Sequence, residues 1–151
     1  MSATTVRVPR GVAPAAWPSP PVVRGVVARG DQRGRLLGFP TANLAVPGLD
    51  VPDSVWSGTV RVVREGVSGR YVAAVSIGRR PTYYGRHGVR LLEAHLLDFS
   101  GDLYGEVIEV RLLHLLRLQR RFPTSEALQE QLHLDVHGVR EHAADRARQA
   151  G

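Results

Sequence analysis

The chain has 151 residues, of which 43% are apolar and 23% charged, and its formal net charge is +6. This length and composition are typical of one soluble globular domain with enough apolar residues to bury a core. The sequence contains no cysteine and no lysine, which excludes disulfides, thiolate metal sites, lysine Schiff bases and lysine phosphate ligands. No apolar run approaches the roughly 18 residues of a membrane span, and the positive charge makes nucleotides and nucleic acids candidate ligands.

Residues 1–21 are rich in proline and alanine and contain no acidic residue. This composition predicts a disordered arm. A transit peptide has a similar composition, but the prolines would break the amphipathic helix that such a peptide forms. The folded domain is therefore expected to cover residues 22–148.

Short β-branched runs separated by turn signals follow the arm. Six of them are expected to be strands, and in chain order they read VVRGVVARG, PTANLAV, VWSGTVRVV, RYVAAVSIG, VRLLEAHLLDF and EVIEVRLLHLL. Pro47, Gly48 and Pro52 mark a turn after the second run. Short strands at near-regular spacing predict an antiparallel barrel or sandwich.

The hydrophobic period changes near the C-terminus. Thr124 or Ser125 can cap a helix that has Glu126 in its first turn. Apolar residues then recur at helical spacing, at Leu128, Leu132, Val136 and Val139. The C-terminal segment is therefore expected to form one helix that packs on the strands.

The segment GDQRGRLLGFPTAN, residues 30–43, combines glycines with arginines and ends in a polar pair. Glycines let a backbone approach a phosphate closely, but the spacing is not that of a known phosphate loop, so an ordinary surface loop remains the alternative. Thr41 and Asn43 lie two apart on extended chain, so their side chains point to one face. A hydroxyl and an amide oxygen are suitable Mg²⁺ ligands, although a polar pair that caps a turn would look the same.

The fifth run places an acidic residue among apolar ones. Alternation puts one set of side chains on a common face: Val89, Leu91, Glu93, His95, Leu97 and Phe99. Partial burial would raise the pKa of Glu93 and make it a better general base near neutral pH. A glutamate paired with an arginine at the mouth of a barrel is the alternative.

Two further clusters precede or lie on the predicted helix. Arg117, Arg120 and Phe122 could hold a flat heterocycle between guanidinium groups and an aromatic ring, or they could form a solvated turn. His133 and His137 lie four apart, as zinc ligands do, but no third ligand is close in the sequence. We therefore expect two exposed helix histidines.

Taken together, these segments resemble the riboflavin kinase family. GDQRGRLLGFPTAN resembles its nucleotide loop and PTAN signature, VWSG its second-strand motif, and VSIGRRPTY the motif that follows. LEAHLLDF carries the family's glutamate, GDLYGE comes next, and LRLQRRF and DVHGVR resemble the C-terminal elements. The matching segments run in collinear order from about Gly25 to Arg140. Ser54 and Ser57 stand where the family usually has Gly and Ala. Because neither residue is assigned to the chemistry, these departures bear on the packing of the strand rather than on activity.

The resemblance implies a mainly β fold, a six-stranded antiparallel Greek-key barrel with a C-terminal α-helix. It also implies transfer of the γ-phosphate of ATP to the 5′-hydroxyl of riboflavin, giving FMN and ADP. A catalytically inactive flavin- or nucleotide-binding barrel is the alternative. Because residues 1–21 are too short for the adenylyltransferase domain that many bacterial members carry, the reaction is expected to stop at FMN.

The resemblance also assigns roles to individual residues. Glu93 would be the catalytic base, and Thr41 and Asn43 would hold Mg²⁺. The nucleotide would contact Gly30, Arg35, Thr41 and Tyr104, and the flavin would contact Arg117, Arg120 and Phe122. The expected partners are riboflavin or FMN and ATP or ADP, without nucleic acid or membrane, for a monomer in the cytoplasm.

Overall fold

The computed structural model of the chain describes residues 5–7, 20–29, 41–64, 69–79 and 90–150. These residues form seven strands and one helix. The strands are β1 (Thr5–Arg7), β2 (Val22–Val26), β3 (Ala42–Ala45), β4 (Ser54–Val62), β5 (Arg70–Arg79), β6 (Arg90–Leu96) and β7 (Val107–Leu118), and the helix is α1 (Ser125–Ala150).

Strands β2 to β7 form a nearly closed antiparallel barrel. The sheet has the order β1-β2-β7-β4-β5-β6-β3, and each neighbouring pair is antiparallel. A single bridge between Ala28 and Asn43 joins the end of β2 to β3, with the Ala28 amide 2.8 Å from the Asn43 carbonyl oxygen. The expected six-stranded barrel is therefore confirmed. Each of its strands overlaps a run that the sequence indicated, although β4 begins one residue earlier, at Ser54, and β5 and β7 end later, at Arg79 and Leu118.

Strand β1 lies within the segment that was expected to be a disordered arm. Thr5–Arg7 pairs antiparallel with Val22–Arg24 of β2, so this expectation is wrong for these three residues. The barrel leaves this edge of β2 open, because the bridge to β3 reaches only Ala28. An open edge presents unpaired backbone groups, and β1 pairs with them as an added antiparallel strand.

The barrel interior is filled by alternate residues of the strands. The largest fully buried side chains there belong to Trp56, Leu44, Ile77, Leu92, Ile108 and Leu112. Strands β4 and β7 approach closely at Gly58, where an added Cβ would lie 2.2 Å from the carbonyl oxygen of Arg111. The pairing of these strands also shifts register between Ser57 and Gly58, so glycine is needed where the two backbones approach at this irregularity.

The serines at the two departures from the family pattern are buried and hydrogen-bonded. The Ser54 hydroxyl donates to the Pro52 carbonyl (2.5 Å) and accepts from the indole N–H of Trp56 (2.8 Å). The Ser57 hydroxyl lies 3.1 Å from Nδ1 of His142 on the helix. Strand β4 therefore accommodates both hydroxyls, because each has a polar partner.

Strand β6 ends at Leu96, three residues before the end of the run that indicated it. Asp98 adopts a left-handed backbone conformation with φ of 58°, which aspartate tolerates better than most residues. The strand ends before this residue because a β-strand requires extended backbone. Both Asp98 carboxylate oxygens accept from Arg140 of α1, at 3.0 and 3.1 Å. The hydrogen bonds from Arg140, and then its charge, lower the pKa of Asp98.

Helix α1 begins where the sequence predicted. The Thr124 hydroxyl accepts from the Ala127 amide at 3.0 Å, as an N-cap does. The helix packs against β4, β5 and β7.

His133 and His137 are exposed, and the described residues contain no cluster of three or more potential metal ligands. Within the same described residues, no helix is both long and apolar enough to cross a membrane.

The C-terminal half of α1 also makes a polar contact with the barrel through His142. Its ring stacks on His114 of β7, with centroids 4.6 Å apart and planes at 16°. Burial lowers the pKa of His142, the charges of His114 and Arg146 lower it further, and Asp145 acts in the opposite direction. A histidine whose pKa is depressed in the native state takes up its proton first in the unfolded state, so stability falls as the pH drops below about 6.5.

We therefore expect the melting temperature of the wild-type protein to decrease between pH 7.5 and pH 5.5 more steeply than that of a His142→Gln variant. The measurement is thermal unfolding followed by circular dichroism across this range. His133→Gln, which removes an exposed histidine from the same helix, serves as the control and should keep the wild-type slope. Equal slopes for wild type and His142→Gln would contradict the prediction.

Candidate active site

Among the described residues, two cavities adjoin the barrel and share Thr41. The helix-side cavity has a volume of about 350 Å³ and lies between the outer face of the sheet and the first half of α1. The turn-side cavity has a volume of about 380 Å³ and is lined by residues 27–29, 41–43, 96 and 99–104. Thr41 lines both, and each volume lies in the range of small-molecule sites.

Strand register brings the predicted base and a predicted metal ligand together. Asn43 of β3 is directly opposite Glu93 of β6, and Glu93 is directly opposite Ser76 of β5. The same row continues through Val55 of β4 to Arg117 of β7. Directly opposite residues of antiparallel strands share a face and have Cβ atoms about 5 Å apart. Two residues that are far apart in the sequence are thus neighbours in the sheet.

Glu93 lines the helix-side cavity together with Leu91 and His95. Leu92 and Ala94, which alternate with them, are fully buried in the barrel core. The alternation predicted for this strand is therefore confirmed over Leu91 to His95. Val89 lies outside the described residues, and Leu97 and Phe99 follow the end of the strand. Glu93 is half-buried and lines this cavity.

The helix-side cavity also contains the three residues predicted to contact a flat ring. The guanidinium carbon atoms of Arg117 and Arg120 lie 5.6 and 4.9 Å from the ring centroid of Phe122. Arg117 also forms an ion pair with Asp135 of α1 at 2.9 Å. The structure thus brings Arg117, Arg120 and Phe122 into the same cavity as Glu93.

Two polar residues of this cavity were not anticipated from the sequence. Asp135 is buried, and Gln119 donates from its amide nitrogen to the Ser76 hydroxyl at 2.7 Å and the Ile77 carbonyl at 3.1 Å. Asp135 could have been found, because it lies seven residues after Leu128 and four before Val139, on the apolar stripe of α1. No comparable pattern marks Gln119, whose side chain has partners on β4 and β5.

The turn-side cavity contains Tyr104, which was predicted to contact a nucleotide. The guanidinium carbon of Arg29 lies 4.3 Å from the centroid of its ring. The backbone amide of Tyr104 donates to the Asp102 carboxylate at 2.9 Å, and Gly105 follows with φ of 81°. The turn thereby fixes an exposed aromatic ring at the edge of the cavity.

Thr41 and Asn43 fit the donor set expected for a magnesium ion. Both line the turn-side cavity, and both offer neutral oxygen atoms, which suit a Mg²⁺ ion that keeps waters and draws its charge balance from phosphates. Asn43 is buried at 8% exposure beside Glu93. Gly30 and Arg35, the other two residues predicted to bind the nucleotide, lie outside the described residues.

Comparison with known proteins shows which family the chain resembles. The family model described as "Flavokinase: Riboflavin kinase" matches residues 17–143. The bifunctional riboflavin kinase/FMN adenylyltransferase of Haemophilus influenzae is 35% identical over 113 residues, which are 74% of this chain and 35% of that protein. The RNA-binding riboflavin kinase RibR of Bacillus subtilis is 36% identical over 115 residues, which are 76% of this chain and 48% of that protein.

A solved structure supports the same relationship. The crystal structure of riboflavin kinase from Trypanosoma brucei is 29% identical with a TM-score of 0.55, covering 82% of this chain and 80% of that one. The chain spans between about a third and a half of the length of the two curated relatives. Because the family model covers most of the sequence, including every residue of both cavities, the chain belongs to the riboflavin kinase family.

Proposed function

We propose that the chain transfers the γ-phosphate of ATP to the 5′-hydroxyl of riboflavin, giving FMN and ADP. The observation that carries this proposal is the pairing of Asn43 with Glu93 where two cavities meet at Thr41. Phosphoryl transfer needs a donor and an acceptor held in line, with little covalent chemistry by the protein. Two cavities that share Thr41 would place a donor and an acceptor next to each other.

The helix-side cavity would hold riboflavin. Its Phe122 ring and the two guanidinium groups beside it suit a flat, polarisable heterocycle. The apolar residues Leu128, Leu132 and Val136 of α1 complete the enclosure. With the ring there, the ribityl chain would extend toward Glu93, which would accept the proton of the 5′-hydroxyl as it attacks.

The turn-side cavity would hold the nucleotide. Tyr104 and its Arg29 partner would contact it at one end, and Thr41 and Asn43 would lie at its phosphates. Gly30 and Arg35 are proposed to contact the phosphates from the segment that precedes Thr41. The two oxygen ligands would hold Mg²⁺, which when bound would neutralise charge on the phosphate oxygens.

The alternative is a flavin- or nucleotide-binding barrel without chemistry. It would not require Glu93, Thr41 and Asn43 to lie together at the boundary of the cavities, which is where phosphoryl transfer requires them. Riboflavin kinase activity explains this placement, and we therefore prefer it. We also propose that the chain acts as a monomer, without nucleic acid or membrane.

The test is incubation of the purified 151-residue chain with riboflavin, ATP and Mg²⁺, followed by chromatography of flavins and nucleotides. We expect FMN and ADP in equal amounts, and the same chromatogram tests the expectation that FAD does not form. Because the mixture contains no nucleic acid or lipid, product formation also shows that neither is required. Riboflavin that binds without FMN being formed would favour the binding protein. The absence of both riboflavin binding and FMN formation would refute the proposal.

A further inference from the structure

Asp135 is a buried carboxylate on the cavity side of α1. Its side chain is 4% exposed, and its two oxygens accept from Nε and Nη2 of Arg117 at 3.0 and 2.9 Å. One of these oxygens also accepts from the Gln131 side chain at 2.9 Å. A buried carboxylate with three donors is held in one orientation, and so is the guanidinium that it pairs with.

The pairing determines how Arg117 faces the helix-side cavity. Two of its nitrogens point to Asp135 and the third donates to the Leu118 carbonyl at 3.3 Å. The hydrogen-bonding edge of the guanidinium is therefore directed at protein groups. The guanidinium carbon of Arg117 lies 5.6 Å from the centroid of the Phe122 ring. Because its N–H groups already have partners in the protein, Arg117 contributes a flat guanidinium face to the cavity rather than a free cation.

Gln131 connects the same network to the second arginine near Phe122. Its amide oxygen accepts from Arg120, whose guanidinium carbon lies 4.9 Å from the centroid of the Phe122 ring. The network thus runs from Asp135 through Arg117, Phe122 and Arg120 to Gln131 and back to Asp135. Its two helix residues hold both arginines that flank the aromatic ring.

We infer that Asp135 is a positioning residue that sets riboflavin affinity by holding Arg117 against Phe122. This inference rests on the proposed function and deepens it. It states that riboflavin affinity depends on Asp135, a helix residue that is not among the proposed flavin contacts. Without the carboxylate, the partly buried Arg117 charge loses its partner. The guanidinium would then turn toward water in the cavity and occupy space that the ring needs.

The variant that tests the inference is Asp135→Asn, and the matched control is Asp98→Asn. Asp98 also forms a two-bond pair with an arginine, Arg140, between the barrel and α1. Neither residue of that pair lines the cavities found among the described residues. Asparagine tolerates the left-handed backbone of position 98 as aspartate does.

Riboflavin binding is measured by quenching of its own fluorescence in the presence of MgADP, and KM and kcat by the FMN assay. We expect Asp135→Asn to raise the riboflavin Kd and KM about tenfold, while the KM for ATP and kcat change less than about twofold. Asp98→Asn should match the wild type in all four quantities. A merely structural role for Asp135 would change the ATP and riboflavin constants together, and that result would overturn the inference.

A double-mutant cycle tests whether Asp135 acts through Arg117. If it does, Asp135→Asn combined with Arg117→Gln binds riboflavin no more weakly than Arg117→Gln alone. Additive losses in Kd would overturn the inference. If Asp135→Asn does not fold, Gln131→Leu replaces it as a milder change in the same network, with an expected rise in the riboflavin Kd of about threefold. An unchanged Kd in Gln131→Leu would overturn the inference in that case.

The outcomes for the inference and for the proposed function are separate. Wild-type protein that neither binds nor phosphorylates riboflavin would refute the proposed function, and the inference with it. Wild-type protein that binds and phosphorylates riboflavin, with an Asp135→Asn variant of equal affinity, would refute the inference alone.

Discussion

Replacing Glu93 by Gln is expected to lower kcat for riboflavin phosphorylation by about 10²-fold or more, the usual effect of removing a general base. Glutamine preserves the size and most hydrogen bonds of the side chain but cannot accept the proton of the 5′-hydroxyl. Because Glu93 lines the helix-side cavity without being part of its aromatic end, riboflavin and ADP binding should remain near wild type. The measurement is FMN formation at saturating substrates together with the two binding constants.

Glu109→Gln is the matched control for this variant. Glu109 is also a strand glutamate, pairs with Arg61 at 3.2 Å, and lines neither of the two cavities described. Its substitution should leave kcat unchanged. Turnover of Glu93→Gln within a few-fold of wild type would remove Glu93 from the mechanism while leaving the assignment of the cavity to riboflavin intact.

Thr41→Val and Asn43→Leu are each expected to raise the Mg²⁺ concentration needed for half-maximal activity by about tenfold or more. Loss of a residue that only hydrogen-bonds to a metal ligand typically lowers metal affinity or activity about 10- to 100-fold. Because Thr41→Val and Asn43→Leu would each remove a proposed ligand itself, we expect an effect at least as large. Both substitutions keep the number and branching of the side-chain heavy atoms, so the overall shape of the cavity should persist. Calorimetric titration of ADP at low and high Mg²⁺ provides a readout that does not depend on turnover, and riboflavin binding without nucleotide should change less.

Ser100→Ala serves as the control for the metal variants, because it removes a hydroxyl from the turn-side cavity at a position not proposed to bind the ion. It should retain the wild-type dependence on Mg²⁺. If Thr41→Val and Asn43→Leu also match the wild type at limiting Mg²⁺, the PTAN segment is a structural turn in this protein.

The strands, the helix and the alternation at Glu93 could be predicted because each depends on short-range pattern. Thr124 caps α1 as expected, since a cap is a contact between residues three apart. The end of β6 could not be predicted, because Asp98 takes its left-handed conformation where Arg140 of the distant helix binds its carboxylate. Strand β1 was missed because its partner edge exists only once the barrel has formed.

By itself, the sequence determined which residues carry the proposed chemistry: the polar pair Thr41 and Asn43, the strand glutamate, and the aromatic and basic cluster before the helix. Only the tertiary structure decided which of these residues meet. The register that sets Asn43 opposite Glu93 results from the packing of the whole barrel, and the burial of Asp135 against Arg117 results from the docking of α1. Periodicity assigns a side chain to a face, but the neighbours on that face depend on contacts between residues far apart in the chain.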